Sequence, residues 1–323
     1  MPEPDLWYYE LLYTNREFKC RIIGDACFMA TRGSGNKAET GLSALNPPSP
    51  PFENTRDTRY FFPSSGHMEA LSRLLFLAED RNMGMGLLTG EIGSGKTLLR
   101  TVLHSRLREE THVRVSIENS LLCFDDLLLE IISQIRRERL ATSNYPDRYS
   151  RLSAFKRLLT EQVGNRNRHL VILLDEAQLL DLDDLDALKG LTNIASERQN
   201  FLTIILIGQP ELRLRMRQLP QVDQRISLRF HLNALTAEET AQYVGYRLDV
   251  AGYQGDFPFT DGALDLLYRT SRGIPREINR LCKIGLDHLL TKGLDRFTGA
   301  AIAAVVDDLR RHGALFEADS DPL

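Results

Sequence analysis

Cysteine is scarce and unpaired in this 323-residue sequence: Cys20, Cys27, Cys123 and Cys282 are scattered, with no C-x-x-C among them. That spacing excludes a disulfide framework and a cysteine zinc site, and it predicts reduced thiols. Long hydrophobic runs are also lacking. A membrane-spanning helix needs about 20 mainly apolar residues, whereas the candidates Phe201 to Ile207 and Ala300 to Val306 are far shorter. The start, Met1-Pro2-Glu3-Pro4-Asp5, lacks the basic residues and apolar core of a secretory signal. A soluble, cytoplasmic chain is the expectation. Neither sign of charge dominates: 40 Lys and Arg face 44 Asp and Glu, for a net charge of −4. This excludes the broad positive field of a dedicated nucleic-acid binder, but not a local basic patch. With 42% hydrophobic and 26% charged residues, wholesale disorder is excluded too.

What is present falls into parts. Residues 1–51 hold a short aromatic stretch, Leu6 to Leu12, then Gly33-Ser34-Gly35-Asn36 and Asn46-Pro47-Pro48-Ser49-Pro50-Pro51. Proline at that density predicts an extended linker, because it lacks a backbone donor and biases its neighbour away from helix. One short docking helix is expected at 6–12. From residue 64 helices and strands alternate. Helical spacing recurs over 64–78, 98–107, 124–135, 148–163 and 182–196, and strands are predicted at 85–89, 113–117, 170–174, 202–207 and 228–232. The runs 170–174 and 202–207 are apolar at nearly every position, as central strands buried on both faces are. The expected fold class is therefore α/β, a parallel five-stranded sheet between helices. Beyond residue 235 four helices follow without strands. The predicted divisions are the extension 1–51, a P-loop domain over 52–235, a small helical lid over 236–311, and an acidic tail over 312–323.

The strongest chemical signal is Gly90-Glu91-Ile92-Gly93-Ser94-Gly95-Lys96-Thr97, a complete G-x-x-x-x-G-K-T between a strand and a helix. Glycines let the backbone curl so that its N–H groups face phosphate oxygens, which the following helix N-terminus also favours. Lys96 would reach the β- and γ-phosphates of ATP, and Thr97 would ligate Mg²⁺. The candidate nucleotide-binding set is Gly90, Glu91, Ile92, Gly93, Ser94, Gly95, Lys96, Thr97 and Leu98, joined by Arg276 from Gly273-Ile274-Pro275-Arg276. Gly33-Ser34-Gly35-Asn36-Lys37 mimics half of such a loop, but without the adjacent Lys-Thr and a following apolar helix it reads as linker.

The strand at 170–174 ends in Asp175-Glu176. Asp175 is the second candidate magnesium ligand, and Glu176 is placed to orient or deprotonate water. A carboxylate pair after a strand is often only a solvated loop; its position after a P-loop favours hydrolysis over simple binding. Gln209, at the tip of the next buried strand, is a candidate γ-phosphate sensor or water anchor, although it could simply begin a turn before Pro210. Arg225 lies just before the last strand and Arg229 within it; Arg225 is the candidate finger for a neighbouring subunit's site, and Arg229 competes for that role. A surface ion pair is the simpler alternative for either.

Together these motifs resemble the AAA+ ATPases. More narrowly, Pro51-Phe52-Glu53-Asn54-Thr55, Arg59-Tyr60-Phe61, Gly66-His67-Met68-Glu69-Ala70-Leu71, Asp175-Glu176-Ala177-Gln178, Gly208-Gln209-Pro210-Glu211-Leu212 and Gln224-Arg225-Ile226 are similar to the ExeA (general secretion pathway protein A) type. Transposition regulators of the TnsC/TniB type are similar in the core. The resemblance covers about 51–311. It implies ATP hydrolysis by a homo-oligomer, a ring or helical filament, with Lys96, Glu176, Gln209, Arg225 and Arg276 as the working residues and ATP and Mg²⁺ as ligands. It also implies that Phe52, Phe62 and His67 lie near the adenine. The membrane and cell-wall parts of that type are not carried over to this sequence. Two functions follow: coupling turnover to assembly or remodelling of an unidentified protein partner, with secretion or the envelope as the setting the resemblance suggests, or an ATP-switched DNA-binding oligomer. The second draws on the arginines at 213, 215, 217, 225 and 229, which also read as a solvated helix face; the first is favoured.

Overall fold

The computed structural model describes residues 47–118, 122–194 and 200–312. The stretch expected to form a docking helix at 6–12, the loop mimic at 33–37 and the tail beyond 312 lie outside them.

Helix α1 (Ser65–Glu79) opens on Ser64, whose hydroxyl accepts the His67 N–H. Strand β1 (Met85–Gly90) then leads through the glycine loop to α2 (Lys96–Arg106). Strand β2 (His112–Ile117), α3 (Phe124–Arg136) and α4 (Arg148–Leu158) follow. The helical pattern predicted to 163 is α-helical only to Leu158 and continues as a widened π turn over Leu159–Gly164. Next come β3 (His169–Leu174), α5 (Leu182–Thr192) and β4 (Leu202–Gly208). Helix α6 (Pro210–Arg217) begins with proline at its first position, where a missing N–H costs nothing. A single turn at Pro220–Asp223 precedes β5 (Ile226–Leu232).

The five strands are parallel in the order β2-β3-β4-β1-β5. Their side chains alternate between two apolar layers. Leu170, Ile172, Leu174, Ile204 and Leu206 join α3, α4 and α5 on one face. Val171, Leu173, Ile205 and Ile207 meet α1 and α2 on the other. Both faces being covered explains why β3 and β4 are apolar throughout.

Four helices complete the described chain: α7 (Ala237–Val250), α8 (Asp261–Ser271), α9 (Pro275–Lys292) and α10 (Gly299–Arg311). Their core gathers Val244, Leu267, Ile278, Leu281 and Phe297, and it also takes in Phe52 and Phe62 from the N-terminal side. The strap around 51–62 is fixed to this bundle by polar contacts as well. Buried Arg247 donates to the carbonyls of Pro51 and Glu53 at 2.5 Å each and lies over the Tyr60 ring.

The segment that leaves β5 docks on the bundle at a close approach. The Leu235 N–H donates to the Gly273 carbonyl at 2.9 Å. Gly273 has φ +72°, and a Cβ there would stand 2.0 Å from the Leu235 oxygen, so glycine is required on both counts. No described helix is long and apolar enough to cross a membrane.

Candidate nucleotide-binding active site

Because the strands are parallel, the loop after β1 and the segments after β3 and β4 emerge at the same edge of the sheet. Strand β4 lies between β1 and β3, so Gln209 is set between the glycine loop and Asp175-Glu176.

The loop itself is a cradle that side chains would fill. Gly93 and Gly95 have φ of +83° and +100°. A Cβ on Gly93 would meet the Arg276 Cβ at 2.5 Å, and one on Gly95 would meet the His67 Nε2 at 2.7 Å. Helix α2 starts from Gly95 with no side-chain cap, so its first N–H groups are open to an anion. Lys96 is buried, and its ammonium donates to the carbonyls of Gly90 and Glu91 at 2.7 and 2.8 Å. Burial pulls its pKa below the usual lysine range, against the opposing pull of Glu176, Asp175 and Glu91. The Ser94 hydroxyl is buried beneath the loop without a hydrogen-bond partner.

Asp175 is likewise buried, and burial raises its pKa; the Arg100 guanidinium, a hydrogen bond from Thr97 and the Glu176 N–H oppose that rise. Arg100 Nε stands 3.4 Å from Asp175 Oδ2. The same guanidinium donates to Ser116 at 2.6 Å and to Glu118 at 2.9 Å. Glu176 follows with φ 54°, a left-handed conformation uncommon for a residue with a side chain. Its Oε2 accepts from Gln178 Nε2 at 2.6 Å and faces Gln209 Nε2 at 3.5 Å.

The opposite lip comes from the helical bundle and the strap. The Arg276 N–H donates to the Gly93 carbonyl at 3.2 Å. Behind it Tyr243 donates to Asn279 at 2.9 Å, and Asn279 donates to Asn54 at 3.0 Å. A cleft of about 170 Å³ runs between the lips, lined among others by Gly93, Lys96, Thr97, Leu98, Glu176, Gln209 and Arg276. A smaller slot of about 40 Å³ adjoins it, with Phe62, His67 and Leu98 in its walls.

The expected residues therefore converge unevenly. Ile92, Gly93, Gly95, Lys96, Thr97, Leu98, Glu176, Gln209 and Arg276 line the cleft. Gly90 and Glu91 contribute carbonyls to Lys96 instead of a wall. His67 and Phe62 border the slot, whereas Phe52 is in the core of the helical bundle, 6.4 Å edge-on from Phe259. Arg225 is exposed and lines neither cavity; Arg229 is held by Asp223 at 2.7 Å. Gln209 is the residue before α6, not part of an isolated turn. Sequence reasoning did not reach Arg100, Tyr243 or Asn279, and it gave Gln178 no role beyond its place in the Asp175-Glu176-Ala177-Gln178 motif. Arg100 follows Lys96 by four residues, the spacing that puts two side chains on one helix face. Tyr243 and Asn279 carry no comparable local signal.

A larger depression of about 750 Å³ lies at the amino ends of β2 and β3, the far edge of the sheet. Several of its arginines are engaged with helix ends and carboxylates: Arg114 caps the carbonyls of His104 and Leu107, Arg168 that of Gln162, and Arg136 pairs with Glu138.

The cradle glycines, the uncapped helix start, the buried ammonium and the Thr97–Asp175 pair fit a nucleoside triphosphate with Mg²⁺. Thr97 and Asp175 are the residues suited to the metal.

Comparison with known proteins agrees with this geometry. Residues 79–216 match the family described as the AAA domain. Over 252 residues the chain is 36% identical to general secretion pathway protein A of Aeromonas hydrophila, a match covering 76% of this chain and 44% of that protein. The chain thus spans less than half the length of that relative. Among solved structures, the Aeropyrum pernix ORC2 protein in its ADP form superposes with TM-score 0.60 at 20% identity, over 82% of this chain and 74% of that one. The A. pernix ORC1 protein in complex with DNA gives 0.56 at 16%, over 80% and 70%. The fold is that of the AAA P-loop NTPases, a parallel five-stranded sheet with helices on both sides and a helical C-terminal region.

Proposed function

We propose that the chain binds ATP with Mg²⁺, hydrolyses it, and as a homo-oligomer couples turnover to assembly or remodelling of a protein partner. The observation that carries the hydrolase reading is the meeting of Glu176 and Gln209 in the cleft that Lys96 and Thr97 also line. A site built only to hold nucleotide would not require a carboxylate there.

In this reading Lys96 releases its two loop carbonyls and places its charge on the terminal phosphates. Mg²⁺, when held by Thr97 and Asp175, neutralises phosphate charge. Glu176 accepts a proton from water as the water oxygen attacks the γ-phosphorus and the bond to the β-phosphate oxygen breaks, leaving ADP and phosphate. Gln209 steadies the water or the γ-phosphate. Arg276 approaches from the helical bundle and links its position to the phosphate state. Arg225, exposed on the far side, serves the site of an adjoining copy. The similarity to general secretion pathway protein A supports a partner in secretion or the envelope.

A second reading, an ATP-switched DNA-binding oligomer, draws on Arg213, Arg217 and Arg225. These are exposed and make no ion pair among the described residues. The fold is shared with a protein solved in complex with DNA. Phosphate contacts would make such binding fall steeply with salt. Duplex DNA is therefore expected to leave ATP turnover nearly unchanged at about 0.15 M salt; strong, salt-sensitive stimulation would favour the second reading.

Binding and turnover of Mg·ATP by the wild-type chain and by Lys96→Ala test the site. The wild type is expected to bind and hydrolyse, and the variant to lose binding. Equal behaviour of the two would contradict the assignment.

A further inference from the structure

Gln178 joins three parts of the molecule that carry the proposed chemistry, two through its side chain and one through its main chain. Its Nε2 donates to Glu176 Oε2 at 2.6 Å. Its Oε1 accepts the Gln209 N–H at 3.1 Å. Its main-chain oxygen accepts from the Arg215 guanidinium of α6. The contact at the end of β4 is close: a Cβ on Gly208 would stand 2.5 Å from Gln178 Oε1.

Two features separate an orienting role from a blocking one. Glu176 and Gln209 line the nucleotide cleft, whereas Gln178 does not, so it holds the carboxylate from behind. Both amide donors, Gln178 and Gln209, face the same oxygen, Oε2. No described residue donates to Oε1, which stays available to a water proton. Glu176 moreover has a left-handed backbone, a conformation that persists only where its surroundings over-determine it. A base oriented by a third group is a recurrent arrangement, because rotation of the base by one rotamer removes it from the proton.

We propose that Gln178 is a positioning residue for ATP hydrolysis: it fixes Glu176 with Oε1 toward the cleft and ties that orientation to α6 through Arg215. The inference rests on Glu176 being the water-activating base.

The test compares wild type, Gln178→Ala and Gln178→Glu, the latter keeping volume and the acceptor but losing the amide donor. Steady-state kcat is expected to fall at least about tenfold in both, the scale of lost outer support for a reacting group, while KM and binding of a fluorescent ATP analogue stay within about twofold of wild type. In the Glu176→Gln background, measured under single-turnover conditions with excess protein, adding Gln178→Ala is expected to change nothing further. Wild-type kcat in the Gln178 variants would overturn the inference and leave the reading of the cleft intact. An equal loss in both backgrounds would also overturn it, because Gln178 would then act elsewhere than through Glu176. If Gln178→Ala does not fold, Gln178→Glu decides by the same criteria. A wild-type chain that turns over no ATP overturns both readings.

Discussion

The main-chain N–H of Arg276 donates to the carbonyl of Gly93 at 3.2 Å, so the first turn of α9 rests on the phosphate loop. Any shift of the helical bundle must therefore disturb this contact, and any change in the loop reaches the bundle without an intermediary. The Arg276 side chain lines the cleft from the same turn.

Arg276→Ala keeps that main-chain contact and removes only the guanidinium. Turnover is expected to fall about 10²-fold, the scale for losing one charge-stabilising donor, while ATP binding weakens far less. Steady-state kinetics with an equilibrium binding titration checks this; unchanged kcat would remove Arg276 from the working residues.

The close approach of Gly273 to Leu235 offers a sharper structural prediction. Gly273→Ala places a Cβ against the Leu235 carbonyl at a left-handed position. It is expected to destabilise by about 1–3 kcal/mol from the backbone alone. Gly190, inside α5 with nothing within 4 Å of a Cβ, is the control: alanine there is expected to stabilise by about 0.5–1 kcal/mol. Chemical denaturation of the two variants should move in opposite directions.

If Arg225 works on an adjoining copy, Arg225→Ala binds ATP normally and hydrolyses it poorly. Mixing it with Lys96→Ala, which supplies an intact arginine, should restore part of the activity. No recovery at any mixing ratio would count against the assignment.

Stability should fall in mild acid through His169. Burial, followed by the nearby His112 and Arg81 charges, depresses its pKa from 6.5 to about 4. The folded chain thus disfavours the imidazolium, and the unfolded chain takes up the proton first. The contribution is complete above pH 6.5 and is lost as pH falls toward 4, by no more than about 3 kcal/mol. His169→Gln should flatten the denaturation midpoint between pH 7 and 4.5; an unchanged slope would contradict this.

Much of the fold was legible because its signals are local. The glycine loop needs eight consecutive residues, and strands buried on two faces need only a run of apolar ones. The proline at 210 was misleading: it reads as a turn signal, yet it sits at the one helical position that tolerates it. Phe52 and Phe62 were visibly apolar, but nothing local says which core takes them, and they join the helical bundle. Gln178 stands two residues after Glu176 and Arg100 one helical turn after Lys96, but nothing local says that Gln178 also meets Gln209 and Arg215 or that Arg100 meets Asp175, contacts that the strand order sets.

The central claim, that Glu176 activates water in a nucleotide cleft, is tested most directly by Glu176→Gln, with ATP binding and turnover measured on one preparation. ATP binding like that of wild type is expected, with turnover reduced by at least about 10²-fold, the range attributed to a positioned general base. Wild-type turnover in that variant would contradict it.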